Sequence, residues 1–234
     1  MERERSRETT GSLTVLHGIP DFDTDVYADG ELIIDEFEYG VAFGPLTLPG
    51  GDHTVETRSA GSAPTGEPHL AGPVPLPAGA SVTVVTHLAP TDEPTLTTFV
   101  DDMSPVEMGR SRVVVRHTAP LDAVDVVVGA EIVLHALTSG GEETLVLLPG
   151  EYDVVVRVAG ETTEAFAEPL TFQEGTAYFL HVVGHADGDV EILGTMASSS
   201  DASPARTDER DAGLDGDGRP RQTAWVGRLG GGEG

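Results

Sequence analysis

The feature that most constrains the fold of this chain is an internal repeat at a spacing of about one hundred residues. His17 and the Pro three residues after it recur as His117 and its following Pro, and the Leu-Pro-Gly turn at 48–50 recurs at 148–150. The matching motifs keep the same order in both halves, and their offset changes only where loops differ in length. The chain is therefore predicted to be a tandem pair of one domain.

Within each unit, apolar residues either alternate with polar ones or form short continuous runs. Tyr152, Val154 and Val156 would share one face of a strand, with Asp153 and Arg157 on the other. Turn signals containing Gly and Pro separate such runs roughly every ten residues. We therefore expect an all-β fold class: two tandem immunoglobulin-like antiparallel β-sandwich domains with disordered termini.

The composition along the chain predicts the domain boundaries. They are a disordered tail at 1–11, a first β-sandwich repeat at 12–103, a linker at 104–111, a second β-sandwich repeat at 112–197, and a disordered acidic and Gly-rich tail at 198–234. The apolar residue Trp225 in the second tail is either a short docking segment or a lone exposed aromatic.

The charge balance restricts the partners. Forty acidic and 13 basic residues give a formal net charge of -27, and every basic residue is Arg. Such a chain repels nucleic acid and anionic membrane surfaces, so neither is an expected partner. The acid excess and the absence of Lys favour a salt-adapted prokaryote, since concentrated salt screens the repulsion between carboxylates. A GC-rich genome would explain the missing Lys but not the acids.

The beginning of the chain bears on its location. Residues 1–11 are charged and contain no apolar core of a signal peptide, and no apolar run reaches the length of a membrane span. The sequence as written is therefore expected to be cytoplasmic, unless a start codon assigned too far downstream has removed a signal. The chain has no Cys, so no disulfide or thiolate site is expected.

The motifs of both units resemble a known family. The run from His17 through Asp25-Val26-Tyr27 to the Leu-Pro-Gly turn at 48–50 is similar to the tandem domain-of-unknown-function family 4397, with immunoglobulin- or transthyretin-like β-sandwich repeats. The second unit repeats it from His117. This resemblance implies a secreted or cell-surface protein without an established activity, and it transfers no catalytic residues. The chain departs from the pattern by showing no signal peptide and no clear Tyr-Gly in the second unit.

The recurring His and Asp are the first candidates for a site. His17 with Asp25, and His117 with Asp125, could be a general base oriented by a carboxylate. The alternative is a structural clasp in which imidazole and carboxylate tie two strands and a Pro turn together. Recurrence in both copies favours the clasp, because a contact that determines the fold should be present in each unit.

Two further patterns could bind metal. Asp21, Asp23 and Asp25 alternate in a loop, as calcium ligands can, but the second unit has fewer acids there and no EF-hand spacing is present. His181 and His185 are spaced for zinc on a helix but are expected on a strand, where they would lie too far apart. We expect no cofactor. The remaining histidines are expected at the surface: His53, His69, His87 and His135.

The absence of a converging acid, base and nucleophile favours a non-catalytic binding or scaffold module, associated with the cell envelope, over an enzyme. A protein or a glycan is the expected partner, and the contact surface is expected at the long loop 59–77 together with the groove between the units. The alternative is a metal-dependent or carbohydrate-active enzyme with its site between the units. The sequence does not predict an oligomeric state.

Overall fold

The computed structural model describes residues 9–63, 65–185, 190–198 and 227–228. These residues form strands and no helix. The strands of the first unit are β1 (Thr10–Gly18), β2 (Thr24–Ala28), β3 (Glu31–Phe37), β4 (Ala42–Pro49), β5 (Gly51–Ser59), β6 (Leu70–Leu76), β7 (Ser81–Leu88) and β8 (Pro94–Asp101).

The second unit repeats this order of strands. Its strands are β9 (Ser111–His117), β10 (Ala123–Val128), β11 (Glu131–Thr138), β12 (Glu142–Leu147), β13 (Gly150–Val158), β14 (Glu164–Phe172), β15 (Thr176–Gly184) and β16 (Val190–Ser198). A two-residue strand, β17 (Gly227–Arg228), pairs with β16. The predicted disordered tails, with Trp225, otherwise lie outside the described residues.

Each unit is a sandwich of two sheets. In the first unit, a sheet of order β4-β1-β7-β8 faces a sheet of order β3-β2-β5-β6. In the second, β12-β9-β15-β16-β17 faces β11-β10-β13-β14. The predicted fold class, two tandem all-β sandwiches, is confirmed. The pairing is not antiparallel throughout, however, because β1 and β7 are parallel, as are β9 and β15.

The alternation of strand side chains places one face of every strand in the core of its own unit. On β1, Leu13 and Val15 are fully buried in the first core. On β9, the equivalent Val113 and Val115 belong to the second core. The repeated sequence pattern thus produces two separate cores of the same construction.

The outward face of β9 is also buried, as is the C-terminal part of the outward face of β1, because the two units pack against each other. Leu16 of β1 lies in an apolar cluster with Val85 and Phe99 of the first unit and with Val183 and Leu193 of the second. As a result, no residue of β9 or β15 is exposed. A tandem pair joined only by a tether would leave these faces in water.

Contacts across this junction come in matched pairs. A Cβ placed on Gly40 would lie 3.9 Å from Leu193, and one placed on Gly140 would lie 3.9 Å from Thr97. Gly40 and Gly140 occupy the same position in the repeat. Leu193 and Thr97 do so as well, since they pair with equivalent positions of β15 and β7.

A second matched pair lies at the ends of β1 and β9. Gly18 approaches Val183, with a distance of 2.9 Å from a Cβ built on Gly18 to the valine Cγ1. The backbone of Thr118, which is equivalent to Gly18, faces His87, which is equivalent to Val183. The two units therefore contribute the same surface to the junction.

Strand ends differ from the sequence expectation at the long loop. Of the segment 59–77, residues 70–76 form β6, which pairs with β5. The loop itself is limited to the ten residues between Ser59 and Leu70, against five between Val158 and Glu164 in the second unit. No helix in the described part of the chain is long and apolar enough to cross a membrane.

Candidate functional site at the junction of the two units

The repeated histidines are buried at equivalent positions and have equivalent partners. His17 Nε2 lies 2.6 Å from the Phe22 carbonyl, and His117 Nε2 lies 2.9 Å from the Leu121 carbonyl. A carbonyl oxygen only accepts, so Nε2 carries the proton in both rings. The Nδ1 of each ring accepts from the backbone amide two residues later, at 3.4 Å. Each imidazole therefore fastens the loop that follows its strand.

The repeated aspartates fasten other loops. Asp25 accepts from the amides of Glu36 and Gly61, each at 3.0 Å. Asp125 accepts from the amide of Ala136 at 2.9 Å and, at 3.3 Å, from that of Gly160. These bonds explain two positive φ angles, since Glu36 and Ala136 are the equivalent residues at φ 50 and 48.

The predicted clasp is corrected in one respect. Imidazole and carboxylate do not form a single link in either unit, because His17 and His117 bond to carbonyls and Asp25 and Asp125 bond to amides. Each unit has two separate fastenings. The carboxylate bond to the Ala136 amide lowers the pKa of Asp125, and burial lowers the pKa of His17.

The candidate calcium ligands do not converge. Asp21 and Asp23 are exposed, whereas Asp25 is buried and uses both oxygens on backbone amides. Asp21 faces His185, with 3.9 Å between the carboxylate and Nδ1. Within the described ranges, no three His, Asp or Glu side chains are grouped as they would be to hold a metal ion.

The most unusual charged residue is Arg116, which is fully buried at the junction of the units. Its Nη2 lies 2.9 Å from Asp101 of the first unit, and its Nε donates to Glu142 of the second at 3.0 Å. The guanidinium lies between two rings, 4.5 Å from the centroid of Phe99 and 5.0 Å from that of Phe179. Arg116 thus connects the two units by an ion pair and by cation–π contacts.

Two buried histidines lie at the same junction, and one of them, His181, is paired with Arg116 across β9 and β15. His181 is completely enclosed, and among the described residues neither of its ring nitrogens has a hydrogen-bond partner. Burial, followed by the positive charge of Arg116, holds the pKa of His181 well below its usual range. His87, expected at the surface, is instead 1% exposed and bonds to the Thr97 hydroxyl at 2.8 Å. That expectation was wrong because β7 has both faces covered.

A cavity of about 350 Å³ adjoins this cluster between the two units. The polar residues that line it are Thr14, Ser81, Thr83, Thr195 and Asp101. Ser81 and Thr83 both donate to Asp101 at 3.0 Å. The hydrogen of each hydroxyl is therefore used, and its lone pairs remain to accept.

The rest of the lining is apolar. Phe179 and Pro45 belong to it, and Met103 and Met196 are 49% and 41% exposed at its rim. The cavity thus combines polar side chains with apolar surface, which is the usual composition of a small-molecule site.

Sequence reasoning did not identify Arg116, Asp101, His87 or His181 as junction residues. One signal was present: the run Ala177–Val183 is almost continuously apolar. Such a run indicates a strand covered on both faces. A strand at the surface of a lone sandwich would show alternation instead.

The fold and the junction define a class: tandem all-β sandwiches in which two copies of one domain share a buried polar junction. The family model described as Domain of unknown function (DUF4397) matches residues 11–127, which is half of the chain, and the chain belongs to this family. The match begins at β1 and extends through β10 into the second unit.

Among solved structures, the Bacillus anthracis TIE protein is similar at 11% identity, with a TM-score of 0.23. The similarity covers 74% of this chain and 33% of that one, so the chain spans about a third of its length. No curated protein matches the chain.

Proposed function

We propose that this protein is a non-catalytic binding module of the cell envelope in a salt-adapted prokaryote, in which two sandwiches are fixed together to frame one site. The observation that carries this proposal is the cavity at the junction, lined by residues of both units. A site shared in this way requires a fixed relative position of the units. The ion pair between Arg116 and Asp101 supports that fixed position.

The chemistry of the cavity favours binding over catalysis. Asp101 is the one carboxylate in the lining; both its oxygens accept hydrogen bonds from Ser81 or Thr83, and Oδ1 is also in an ion pair with Arg116. Hydrolysis of a glycosidic bond uses two carboxyl groups on opposite sides of the bond, one of them free to transfer a proton. The alternative of a carbohydrate-active or metal-dependent enzyme gains no specific support from this arrangement.

The proposed location is tested by fractionating native cells and detecting the chain with an antibody. We expect it in the envelope or outside the cell, as the family resemblance implies. Recovery only in the cytosolic fraction would overturn the envelope part of the proposal. A cytosolic enzyme of known location is the control for lysis.

The proposed salt adaptation is tested by circular dichroism and thermal unfolding against KCl concentration. We expect the melting temperature to rise with salt, because the charge of -27 repels itself more weakly as the Debye length falls from about 10 Å at 0.1 M to about 3 Å at 1 M. An unchanged melting temperature over this range would contradict the proposed salt adaptation. A sandwich protein of balanced charge is the control for general salt effects.

A further inference from the structure

We propose that the junction cavity binds a neutral, hydroxyl-rich ligand of the sugar class. The hydroxyls of the ligand would lie against the polar residues around Asp101, and one C–H face would lie against the apolar residues of the cavity. This inference rests on the proposed role as a binding module and names the ligand class of that site.

The first step is the direction of the hydrogen bonds. Ser81 and Thr83 donate to Asp101, so the polar wall offers acceptors to a ligand. At these two residues the ligand must therefore supply donors.

The second step is charge. Arg116 lies between Asp101 and Glu142, so this corner of the junction contains one positive and two negative groups. An anionic ligand would be repelled there, and the charge of -27 on the whole chain adds to that repulsion. The charge balance therefore disfavours an anionic occupant.

The third step separates a neutral donor from a cationic one. A ligand ammonium needs a carboxylate whose oxygens can approach it directly. Both oxygens of Asp101 are engaged, Oδ1 by Thr83 and Arg116 and Oδ2 by Ser81 and Thr83. The carboxylate is also almost entirely buried, at 5% side-chain exposure. The surrounding hydroxyl oxygens suit a neutral O–H donor better.

The fourth step is shape and apolar surface. Phe179, Pro45 and the two half-exposed methionines, Met103 and Met196, lie in the same cavity as the hydroxyls. A pyranose ring has hydroxyls at its edge and C–H groups on its faces, so it can satisfy both kinds of surface at once. The cavity volume of about 350 Å³ is at the small end of ligand sites, which suits a single sugar residue or a short chain end.

The experiment uses the full chain in concentrated KCl and saturation-transfer difference NMR. The probes are the methyl glycosides of glucose, galactose, mannose and N-acetylglucosamine, each also supplied as the end of a linear tetrasaccharide. Ethanolamine and acetate are the cationic and anionic comparisons. We expect transfer from the protein to at least one glycoside and none to acetate. Tighter binding of a tetrasaccharide would identify a polymer end as the source, and equal binding would identify the free sugar.

Matched variants place the signal in the cavity. Ala197→Trp introduces a large ring at a residue that lines the cavity, and Ala71→Trp makes the same change at an exposed position of β6 in another sheet. We expect transfer to be lost in the first variant and kept in the second. Thr195→Val removes one hydroxyl with little change of volume and should weaken binding about fivefold. This variant replaces Ala197→Trp as the test if Ala197→Trp does not fold.

Several results would overturn the proposal. They are no transfer to any glycoside, equal transfer in the wild type and in a folded Ala197→Trp, or a response to ethanolamine that exceeds all sugars. Each would remove the sugar class while leaving the envelope location and the salt dependence to stand on their own measurements. A cytosolic location with intact sugar binding would instead overturn the envelope location and leave the sugar proposal in place.

Discussion

At the scale of the residue, burial decides the protonation state of the repeated histidines. His17 and His117 lie in protein interior where a charged ring would lose its water, and each needs one nitrogen as donor to a carbonyl. Burial lowers the pKa of His117 to about 4. These rings are therefore neutral near pH 7 and anchor loops by hydrogen bonds, a role consistent with their presence in both units.

We expect His117→Ala to destabilise the protein by about 2–4 kcal/mol, because it leaves a cavity and releases the Leu121 carbonyl. The measurement is the free energy of unfolding in denaturant. His135→Ala, at an exposed position of β11, is the matched control and should change little. Unchanged stability of His117→Ala would mean that the fastening contributes nothing.

Arg116 is the residue at which the two units differ most, because its counterpart in the first unit is Leu16. Arg116→Leu should destabilise by about 3–5 kcal/mol, since it leaves the buried Asp101 unpaired. Adding Asp101→Asn should recover part of that loss. A double-mutant cycle on the denaturant midpoint tests this, with the exposed Arg110→Leu as control. Additive effects would show that the two side chains are not coupled.

At the scale of the element, the sequence predicted what alternation can show. On β9, Val113, Val115 and His117 have one parity and form a buried row, as alternation indicates. The other row includes Val114 and Arg116, and alternation alone assigns such a row to water. It could not predict the junction, because what covers that row is a second sheet distant in sequence.

The candidate site was only partly predictable for the same reason. A groove between the units was expected, and the cavity lies there. Its polar residues are spread over β1, β7, β8 and β16, so no local motif brings them together. The His and Asp positions were recognised from recurrence, but their partners are backbone groups, and backbone partners leave no side-chain pattern to read.

The end of β1 provides a test of the junction at this scale. In Gly18→Ala the new methyl would meet Val183 Cγ1 at 2.9 Å and the Thr86 carbonyl at 3.1 Å. We expect a loss of about 1–3 kcal/mol from this overpacking, measured by thermal unfolding. Val183→Ala, which removes the opposing methyls, should make the same substitution less costly. An equal loss of stability on Gly18→Ala in the wild type and in Val183→Ala would show that the two strand ends are not in steric contact.

At the scale of the whole molecule, several buried neutral histidines make the fold sensitive to acid. Burial lowers the pKa of His17, His87, His117 and His181. In the unfolded chain these rings bind protons below about pH 6.5, whereas in the folded protein they bind protons only at lower pH. The unfolded state therefore gains stability relative to the folded one as pH falls.

We expect the free energy of unfolding to decrease from pH 6.5 down to pH 4, with His117 alone accounting for about 3 kcal/mol of the loss. His53 opposes this trend, since bonds to the Pro49 carbonyl and to Asp29 raise its pKa. Denaturant unfolding at a series of pH values measures the slope. In His117→Gln the slope should be smaller, and an identical slope would assign the acid sensitivity to other groups.

The matched contacts across the junction, Gly40 with Leu193 and Gly140 with Thr97, have a consequence for the origin of the molecule. They are the contacts of an isologous dimer, in which each subunit offers the same patch and a twofold axis relates the two. The chain has the form of such a dimer joined in one polypeptide, and its halves differ at Arg116 and Asp101, whose counterparts are Leu16 and Ala197. If the chain is divided in the linker, the fragments 1–105 and 106–234 should associate as a heterodimer that size-exclusion chromatography detects. We expect this heterodimer to form in preference to a homodimer of either fragment.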